Sequence, residues 1–399
     1  MKRIAVLGST GSIGQNALEV IKNFPGKFRI AALSAHSNIE LLYQQIKTFN
    51  PEKVCVTDKQ KALSLKRRLN CRTKVLGGLE GLEEICEGKN IDTLVLAISG
   101  SMALMPLIKA IENKKEVCLA NKEALVMAGP LIRQKARDNK TKIIPIDSEQ
   151  SAIWQCLVGQ DSNKVKNIYL TASGGPFLGW NKKQLKHIVI RQVLKHPRWK
   201  MGEKITVDSA TMMNKGFEVL ETMYLFNIIA DKIKIVIHPE AIIHSMVEFV
   251  DGIIMAQLSV TDMRIPIQYA LSFPERLTTP FSFLDFSKLK FLSFAKPDFK
   301  RFPCLDLAYR AAYTGGTAPC VLNAANEVSV VEFLKKRLKF ISIPEVIGRV
   351  MDRHNVVRNP NLEDILDADV WARIQTQRII GKLNQVYPAP SKKVRGGPH

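Results

Sequence analysis

Residues 3–14 read Arg-Ile-Ala-Val-Leu-Gly-Ser-Thr-Gly-Ser-Ile-Gly, and this stretch decides the fold of the N-terminal part of the chain. The apolar run 3–7 predicts a buried first strand, and Gly8, Gly11 and Gly14 follow it where the chain turns into a helix. Glycines in such a turn let the backbone approach a pyrophosphate, and the amides of the following helix then face the phosphates. Because the spacing is GxxGxxG rather than GxGxxG, an ordinary glycine-rich turn is the alternative.

The alternation of strands and helices extends this first unit to residue 147. Amphipathic stretches at 15–24, 39–49 and 103–112 separate short apolar runs. Alternation of this kind is typical of a mostly parallel sheet covered on both faces, so we predict an α/β, Rossmann-like, doubly wound domain. The predicted strands are residues 3–7, 29–33, 54–57, 93–98, 116–119 and 142–146.

The chain changes character after residue 147. Longer strand patterns, with the turn signal Asp251-Gly252 between the last two, predict an α+β domain. Gly174-Gly175-Pro176 opens a segment with helical pieces but no clear core pattern, which is typical of a mobile lid. The predicted units are a dinucleotide-binding domain 1–147, a catalytic domain 148–275 with a lid 174–202, a linker 276–304, a C-terminal helical domain 305–386 and a disordered tail 387–399.

Composition limits the class of protein further. No stretch approaches the roughly 18 consecutive apolar residues of a membrane span, and seven scattered cysteines without a CxxC pair indicate reduced thiols in a cytoplasmic setting. The net charge is +21, but the basic residues are spread out and aromatic residues do not interleave with them. We therefore expect anionic cofactors and phosphorylated substrates, with a merely solvated surface as the alternative, and no nucleic-acid or membrane partner.

The end of the second predicted strand indicates which nucleotide binds. A site for NAD usually has a carboxylate here for the ribose 2′-hydroxyl. This chain instead continues His36-Ser37-Asn38, and its first carboxylate is Glu40. Small hydroxyl and amide donors beside a titratable histidine tolerate a 2′-phosphate, which favours NADP. The alternative for His36 is a solvated loop histidine.

Carboxylates also follow the last predicted strand of the first domain. Asp147 and Glu149 are two residues apart at the carboxyl end of this strand, where they can converge on one hard cation. Asp-Ser-Glu is also a good start for a helix. The tripeptide alone leaves helix capping and metal binding equally open.

Residues 208–218 carry a second polar group. On a helix, Asn214 and Glu218 share a face, which allows Glu218 to be a third metal carboxylate. Ser209, Asn214 and Lys215 offer hydroxyl, amide and ammonium donors, which suit a phosphate or phosphonate. The alternative is a serine-capped helix with a surface Lys–Glu pair.

The predicted lid has polar and aromatic residues near both ends. Ser173 precedes the Gly-Gly hinge, and His196 and Trp199 lie near the far end. A tryptophan on a polar, mobile segment is explained by covering a bound substrate. Packing of Trp199 against its own domain is the alternative.

Taken together, these motifs resemble the 1-deoxy-D-xylulose 5-phosphate reductoisomerase family over residues 2 to about 385. As a set, DSE and DSATMMNKG behind the glycine-rich turn are highly specific. The motifs that carry the resemblance are GSTGSIG at 8–14, ANKE at 120–123, DSE at 147–149, SGGPF at 173–177, HPRWKMG at 196–202, DSATMMNKG at 208–216, HPE at 238–240 and NAANEV at 323–328.

The resemblance implies a role for each matching residue. Metal ligands for Mg²⁺ or Mn²⁺, with Co²⁺ also compatible, are Asp147, Glu149 and Glu218. The substrate phosphate is bound by Ser173, Ser209, Asn214 and Lys215. Further substrate-binding or catalytic positions are Lys122, Ser148, His196 and the lid residue Trp199. The metal ligands Glu149 and Glu218 are also substrate-binding positions. Cofactor contacts are Thr10, Gly11, Ser12, Ile13, Asn38, Asn121, Glu123 and Gly202, to which the loop residues His36 and Ser37 are added.

The resemblance also implies a reaction and an assembly. The reaction is the NADPH- and divalent-metal-dependent rearrangement and reduction of 1-deoxy-D-xylulose 5-phosphate to 2-C-methyl-D-erythritol 4-phosphate, in non-mevalonate isoprenoid precursor synthesis. The assembly is a homodimer with a C-terminal helical domain. Two other readings are open: a simple NADP-dependent dehydrogenase of a small hydroxy or keto acid, and a basic nucleic-acid-binding protein.

The chain departs from the family pattern at three places. His36-Ser37 stands where the family often has Gly-Lys, which weakens the expected binding of a 2′-phosphate. Gln150 follows DSE where the family usually has histidine, and Ala103 replaces the last glycine of a loop. None of these changes removes a predicted metal or phosphate ligand.

Overall fold

The computed structural model describes residues 1–195 and 201–386, and within them eleven strands form two sheets. The strands are β1 (Lys2–Leu7), β2 (Phe28–Ala35), β3 (Lys53–Val56), β4 (Lys74–Gly77), β5 (Thr93–Leu96), β6 (Glu116–Leu119), β7 (Ile143–Pro145), β8 (Val165–Ala172), β9 (Ile233–Ile237), β10 (Ile243–Phe249) and β11 (Ile254–Leu258).

Helices cover both sheets and form most of the C-terminal part. They are α1 (Ser12–Lys22), α2 (Ile39–Phe49), α3 (Lys59–Arg68), α4 (Gly78–Glu87), α5 (Leu104–Glu112), α6 (Lys122–Asp138), α7 (Ser148–Leu157), α8 (Lys182–Leu185), α9 (Ile190–Val193), α10 (Glu203–Thr211), α11 (Met213–Phe226), α12 (Arg264–Ser272), α13 (Cys304–Thr314), α14 (Ala318–Leu334), α15 (Ile343–Asp352) and α16 (Leu362–Val386). None of the helices in the described ranges combines the length and the apolar character needed to cross a bilayer.

The first sheet has seven strands in the order β4-β3-β2-β1-β5-β6-β7, and every neighbouring pair is parallel. Apolar residues fill both faces of its central strands, as expected for a sheet covered by helices on both sides. The chain reverses direction across the sheet beside β1, so a crevice opens there at the carboxyl ends of the strands. The predicted Rossmann-like, doubly wound sheet is confirmed.

One strand of this sheet is absent from the sequence prediction. β4 lies at the sheet edge and spans four residues, Lys-Val-Leu-Gly, of which only Leu76 is fully buried. A short edge strand that has one lysine and one glycine lacks the apolar run that predicted the other six strands.

The second sheet has four strands in the order β11-β10-β8-β9. β8 and β9 are parallel, whereas β10 is antiparallel to both β8 and β11. The predicted turn at Asp251-Gly252 joins β10 to β11, and Gly252 has a φ of +87°. α7 packs against β10 and β11, and α11 packs against β8, so this sheet supports the two helices that bear the predicted acids.

The first part of the predicted lid is anchored in the core. Phe177 is 1% exposed and contacts Trp180 and Phe340 through its ring. Leu185 and Val193 are also buried. The sequence of this segment shows no clear core pattern, yet its described part has buried residues, because Phe177, just after the Gly-Gly pair, packs against Phe340 in the C-terminal part. The predicted lid residues His196 and Trp199 lie outside the described residues.

The C-terminal helices complete the molecule. Residues 276–303 contain no α-helix and one short 3₁₀ turn, Phe286–Lys288, before α13 begins. α14 is the central helix, since it packs against α13, α15 and α16 as well as α6 and α10. The hydrophobic cluster is continuous from one face of the first sheet through α6 to these helices. The predicted tail 387–399 is outside the described residues.

Candidate active site

A cavity of about 460 Å³ lies at the carboxyl end of the first sheet, between this sheet and the second one. Residues from the glycine-rich turn, the start of α6, the start of α7, the loop after β8, and α10 and α11 line it. The predicted site residues that it brings together are Gly11, Ser12, Ile13, Asn121, Lys122, Glu123, Asp147, Ser148, Glu149, Ser173, Gly202, Ser209, Asn214, Lys215 and Glu218.

The glycine-rich turn has the geometry that the sequence predicts. Gly8 has a φ of +88°, and a Cβ atom there would lie 2.5 Å from the carbonyl oxygen of Ala97. A Cβ atom on Gly14 would overlap Gly8 and lie 2.6 Å from the Cα atom of Ser9. Both positions require glycine because the backbone itself fills the space. α1 begins at Ser12, so its first amide groups lie at the cavity wall, where they can bind an anion.

The second predicted cofactor loop lies at the end of β2 and is separate from the main cavity. His36, Ser37 and Asn38 are exposed. His36 Nδ1 is 2.7 Å from the hydroxyl of Thr57, and Asn38 accepts a hydrogen bond of 3.1 Å from the amide of Leu41. Asn38 is therefore the cap of α2, a structural role in addition to the predicted one. Thr10 is half-buried and does not line the cavity.

Asp147 both caps a helix and joins an acidic cluster. Its side chain accepts a hydrogen bond of 3.2 Å from the amide of Glu149 at the start of α7. Carboxylate oxygens of Asp147, Glu149 and Glu218 also lie within 4.8 Å of one another. The two alternatives that the sequence left open for Asp147 are thus compatible in one side chain.

Glu218 reaches this cluster from α11, and its side chain is 1% exposed. Asn214 donates a hydrogen bond of 2.7 Å to it, and Lys215 forms an ion pair with it. Lys215 is also 2.9 Å from Glu149 and is only 5% exposed. The alternative of a surface Lys–Glu pair is therefore wrong, because both groups are inside the cavity.

Lys122 neutralises the cluster from the opposite side. It forms an ion pair with Asp147, and its Nζ atom is 3.4 Å from Glu218 and 3.3 Å from Glu221. Two buried ammonium groups, those of Lys122 and Lys215, thus face four carboxylates in the described part of the site. With all four carboxyl groups ionised, the group carries more negative than positive charge, which favours an incoming cation.

The side chains of this group shift one another's pKa values. Burial, with repulsion from Glu149, raises the pKa of Glu218 to about 7. Burial also acts on Glu149, but attraction from Lys215 and Lys122 outweighs it and lowers the pKa of that carboxyl. Burial lowers the pKa of Lys122, yet the surrounding acids hold it well above its ordinary value. Of the three acids, Glu218 is therefore the one that would release a proton if a cation bound near neutral pH.

The donor set fits a hard divalent cation. With ligand oxygens about 2.1 Å from an octahedral Mg²⁺, neighbouring oxygens are about 2.9 Å apart and opposite ones about 4.2 Å apart. The three acids, whose oxygens lie within 4.8 Å of one another, therefore need only move closer together to hold one ion. Asn214 Oδ1 is buried and has no hydrogen-bond partner in the part of the chain that the structure describes. An unsatisfied acceptor next to three carboxylates is costly unless a donor or a cation occupies the cavity.

The predicted phosphate group comes together in the same cavity. Ser173 follows β8, Ser209 lies in the last turn of α10, and Asn214 and Lys215 open α11. The chain packs closely here, since a Cβ atom on Gly175 would lie 2.7 Å from the Ser209 carbonyl oxygen. Hydroxyl, amide and ammonium donors thus face one space beside the acids.

Sequence reasoning missed several buried polar residues at this site. Glu221 lies one turn beyond Glu218 on the same helix face, and burial raises its pKa to about 8. Lys204 forms ion pairs with Glu123 and Asp208 at the cavity wall. Glu221 could have been found from the sequence, because a residue three positions after Glu218 lies on the same face of a helix. The four-residue spacing of Lys204 and Asp208 was a signal for their ion pair, but nothing in the sequence indicated the pair with Glu123, which is distant in the chain.

The departure at Gln150 is accommodated within the site. Gln150 is fully buried and donates a hydrogen bond of 3.0 Å to the backbone carbonyl of Glu218. Its own carbonyl accepts one of 3.0 Å from Thr222. Gln150 therefore links α7 to α11 and fixes the helix that bears Glu218 against the helix that bears Glu149.

A parallel Rossmann-like sheet whose crevice opens onto a cavity with an acidic cluster and the predicted phosphate donors defines the chain as a nucleotide-dependent oxidoreductase. The model of the 1-deoxy-D-xylulose 5-phosphate reductoisomerase family matches residues 4–129. Two models of that enzyme's C-terminal domain match residues 143–226 and 258–375.

Whole-chain relatives agree. The 1-deoxy-D-xylulose 5-phosphate reductoisomerase of Ruminiclostridium cellulolyticum is 50% identical over 95% of this chain and 99% of its own length. That of Thermoanaerobacter pseudethanolicus is 49% identical over 92% of this chain and 97% of its own. The chain therefore belongs to the 1-deoxy-D-xylulose 5-phosphate reductoisomerase family.

Solved structures share the whole architecture. A DOX-P reductoisomerase in complex with NADPH, fosmidomycin and magnesium superposes with a TM-score of 0.91, at 37% identity over 96% of this chain and all of that one. The Zymomonas mobilis reductoisomerase in complex with NADPH gives a TM-score of 0.89, at 38% identity over 95% of this chain and 99% of the other.

Proposed function

We propose that this protein converts 1-deoxy-D-xylulose 5-phosphate to 2-C-methyl-D-erythritol 4-phosphate with NADPH and a divalent metal ion, as a step of non-mevalonate isoprenoid precursor synthesis. The observation that carries the proposal is one cavity in which a three-carboxylate cluster, a group of phosphate donors and the glycine-rich turn face one another. Membership of the family and the complexes of its solved relatives with NADPH, fosmidomycin and magnesium support it.

The cofactor residues follow from the cavity wall. The amides that open α1 at Ser12 and Ile13 would bind the pyrophosphate, and Asn121 at the start of α6, which lines the same cavity, would contact the cofactor as well. His36 and Ser37, which directly follow the end of β2, contact the adenosine end of the cofactor. Since Ser37 lacks a positive charge, the 2′-phosphate is bound here by neutral donors and the nearby His36.

Asp147, Glu149 and Glu218 hold the cation, for which we propose Mg²⁺ or Mn²⁺, with Co²⁺ as a further option. When bound, the cation supplies a Lewis acid for charge that develops on the substrate oxygens, and NADPH supplies the hydride. Carbon-skeleton rearrangement precedes the reduction. Lys122 lines the cavity and pairs with Asp147, so its ammonium group limits the charge of the site and would orient a bound substrate.

The phosphate end of the substrate is bound away from the reacting carbons. Ser173, Ser209, Asn214 and Lys215 supply the donors. Binding energy at this remote group orients the reacting end. We propose that the lid 174–202, with His196 and Trp199, closes over the substrate and excludes water. Ser148, which donates a hydrogen bond of 2.6 Å to Glu149, contacts the substrate beside the metal.

The dimer is a further part of the proposal. β11 is an edge strand, and Ile253, Ile254 and Met255 on it or just before it are 59%, 51% and 37% exposed. Exposed apolar side chains on an edge strand favour pairing with another chain. We propose a homodimer in which a second copy covers this edge, and a three-domain division with boundaries near residues 147, 275 and 304.

A cytoplasmic location completes the proposal. All seven cysteines are unpaired, and six of them are buried. Burial raises the pKa of the Cys86 thiol to about 12, so this side chain is an inert core residue. Unpaired thiols of this kind fit a reducing compartment.

The two competing functions require fewer of the residues that line the cavity. A simple dehydrogenase of a hydroxy or keto acid requires the first sheet but neither the three acids nor the phosphate donors. The test is the decrease in NADPH absorbance with deoxyxylulose phosphate and Mg²⁺, with each component omitted in turn. We expect turnover only with all three. Turnover that persists in EDTA favours the simple dehydrogenase, and salt-dependent nucleic-acid binding without NADPH oxidation favours the nucleic-acid reading.

A further inference from the structure

Lys204 is the centre of a buried ion cluster that the proposed mechanism does not use. It lies in the first turn of α10, and its Nζ atom is 2.8 Å from Glu123 and 2.8 Å from Asp208. The side chains of these two acids are 10% and 2% exposed, and that of Lys204 is 25% exposed. One ammonium group therefore joins two carboxylates from different helices, α6 and α10.

The cluster continues toward the cofactor side of the cavity. Glu123 accepts a hydrogen bond of 2.9 Å from the side-chain amide of Asn121. The same amide donates to the carbonyl oxygens of Ile98, at 2.8 Å, and of Gly100, at 3.0 Å. These carbonyls belong to the loop after β5, which packs against Gly8 of the glycine-rich turn. The ion cluster thus fixes the start of α6 to the floor of the nucleotide crevice.

The cluster also continues toward the C-terminal helices. Asp208 accepts a hydrogen bond of 2.8 Å from the side-chain amide of Asn326 on α14. Asn326 is fully buried. Since α14 is the central helix of the C-terminal part, this contact holds α10 on a rigid support.

α10 bears cavity residues at both of its ends. Gly202 precedes its first residue, and Ser209, one of the phosphate donors, lies in its last turn. Lys204 and Asp208 lie between them, one helical turn apart. Glu123, Lys204 and the body of α10 therefore form a continuous line of contacts from the start of α6 to Ser209.

We propose that Lys204 is a positioning residue that couples the cofactor side of the cavity to the phosphate side. The inference rests on the proposed function and assigns to Lys204 no contact with the reacting atoms. Without its ammonium group, two buried carboxylates face each other across the gap between α6 and α10, and the repulsion separates the helices. The two halves of the site then bind their ligands independently.

The test is the affinity for fosmidomycin, measured by calorimetry on the full chain with Mg²⁺, in the presence and in the absence of saturating NADPH. The ratio of the two dissociation constants is the coupling. We expect a ratio of about fivefold or more in the wild type, a ratio below about twofold in Lys204→Met, and a ratio near the wild-type value in Lys204→Arg, which can bridge both acids.

Lys2→Met is the matched control. Lys2 is 2.7 Å from Glu116, and its side chain is 29% exposed, so its ion pair resembles that of Lys204 but lies at the opposite end of the first sheet's strands. A merely structural loss lowers the melting temperature of both variants and leaves the ratio unchanged. Lys204→Met with a wild-type ratio, or Lys2→Met with an equally reduced one, overturns the inference. A wild type that does not bind NADPH overturns the proposed function, whereas a wild type that binds both ligands without coupling overturns this inference alone.

Discussion

The glycine-rich turn and the acidic cluster line the same cavity, but they are built in different ways. The turn is a backbone site, in which Gly8 and Gly14 let main-chain atoms approach one another and the amides of α1 face the cavity. The acidic cluster is a side-chain site, in which Asp147 and Glu149 come from α7 and Glu218 from α11. The turn therefore depends on close backbone contacts, within itself at Gly14 and with Ala97 at Gly8, whereas the cluster depends on how separate helices pack.

This difference has an energetic consequence. A backbone site is complete without its ligand, because its amides are held by the helix. The acids are buried and repel one another, and the raised pKa of Glu218 reflects burial first and repulsion from Glu149 second. Lys122 and Lys215 reduce this repulsion in the structure. The cluster therefore contains both carboxylates that can bind a cation and ammonium groups that can bind an anionic substrate. Mutations should therefore affect the two regions through different ligands.

The largest effect is expected from Glu218→Gln. The amide keeps the shape of the side chain but removes the charge of a metal ligand. We expect turnover to fall by about a thousandfold or more while NADPH affinity stays within about twofold. Steady-state kinetics and NADPH fluorescence titration measure the two quantities. Wild-type turnover in this variant would refute the assignment of the metal site.

Gly14→Ala attacks the backbone site instead. Since the new Cβ atom would overlap Gly8 and Ser9, the turn must move, at a cost of about 1–3 kcal/mol. We expect NADPH affinity to fall by about tenfold to a hundredfold, while Mg²⁺ binding to the acids is unchanged. Gly26→Ala is the matched control, because a Cβ atom there meets nothing within 4 Å. Equal NADPH affinities in the two variants would contradict the account.

Lys215→Ala should weaken the binding of the phosphate end. The loss of a charge-assisted hydrogen bond, about 1.5–3 kcal/mol, raises KM for the substrate and the inhibition constant of fosmidomycin by roughly tenfold to a hundredfold. NADPH affinity is expected to stay constant. Inhibition assays at varied substrate concentration give both constants. If KM and the inhibition constant were both unchanged in this variant, Lys215 would not be a phosphate ligand.

The smallest effect concerns His354, which is far from both sites. Burial lowers its pKa, and its Nε2 atom is 2.7 Å from the hydroxyl of Thr317. Thr317 in turn accepts a hydrogen bond from the amide of Val357, so its own hydroxyl proton is directed at a neutral imidazole. The pKa of His354 is therefore lower in the folded chain than in the unfolded chain, so the unfolded chain binds a proton at this imidazole at a higher pH. Stability from this group is thus present above the ordinary histidine pKa and is lost as the pH falls.

Thermal melting at about pH 7.5 and about pH 5.5 tests this sign. We expect the melting temperature of the wild type to fall more between the two pH values than that of His354→Gln. The fall in stability should leave the affinities for NADPH and Mg²⁺ at neutral pH unchanged. An equal fall in both proteins would show that His354 does not contribute.

Local sequence patterns were sufficient for the backbone site and for most of the fold. Strand Lys2–Leu7 and the glycines after it are contiguous, so their geometry follows from neighbouring residues. β4 was missed because an edge strand of four residues needs little apolar sequence. The anchoring of Phe177 was missed because its partner Phe340 is distant in the sequence.

The same distinction applies to the candidate site. Asp147, Glu149 and Glu218 were predicted because each lies in a recognisable motif, and the structure brings them together. Lys204 and Asn326 were not predicted. The ion pair of Lys204 with Glu123 forms only when α10 packs against α6, and the hydrogen bond from Asn326 to Asp208 forms only when α14 packs against α10. Periodicity gives the face of a helix, but the partner of that face depends on tertiary structure.

The central claim is that three acids from two helices bind one divalent ion in the cavity of the nucleotide crevice. Anomalous X-ray scattering from crystals grown with Mn²⁺ tests it most directly. The account predicts one strong peak within about 2.2 Å of a carboxylate oxygen from each of Asp147, Glu149 and Glu218. A peak elsewhere, or side chains of these residues that remain turned toward Lys122 and Lys215 with no ion between them, would contradict it.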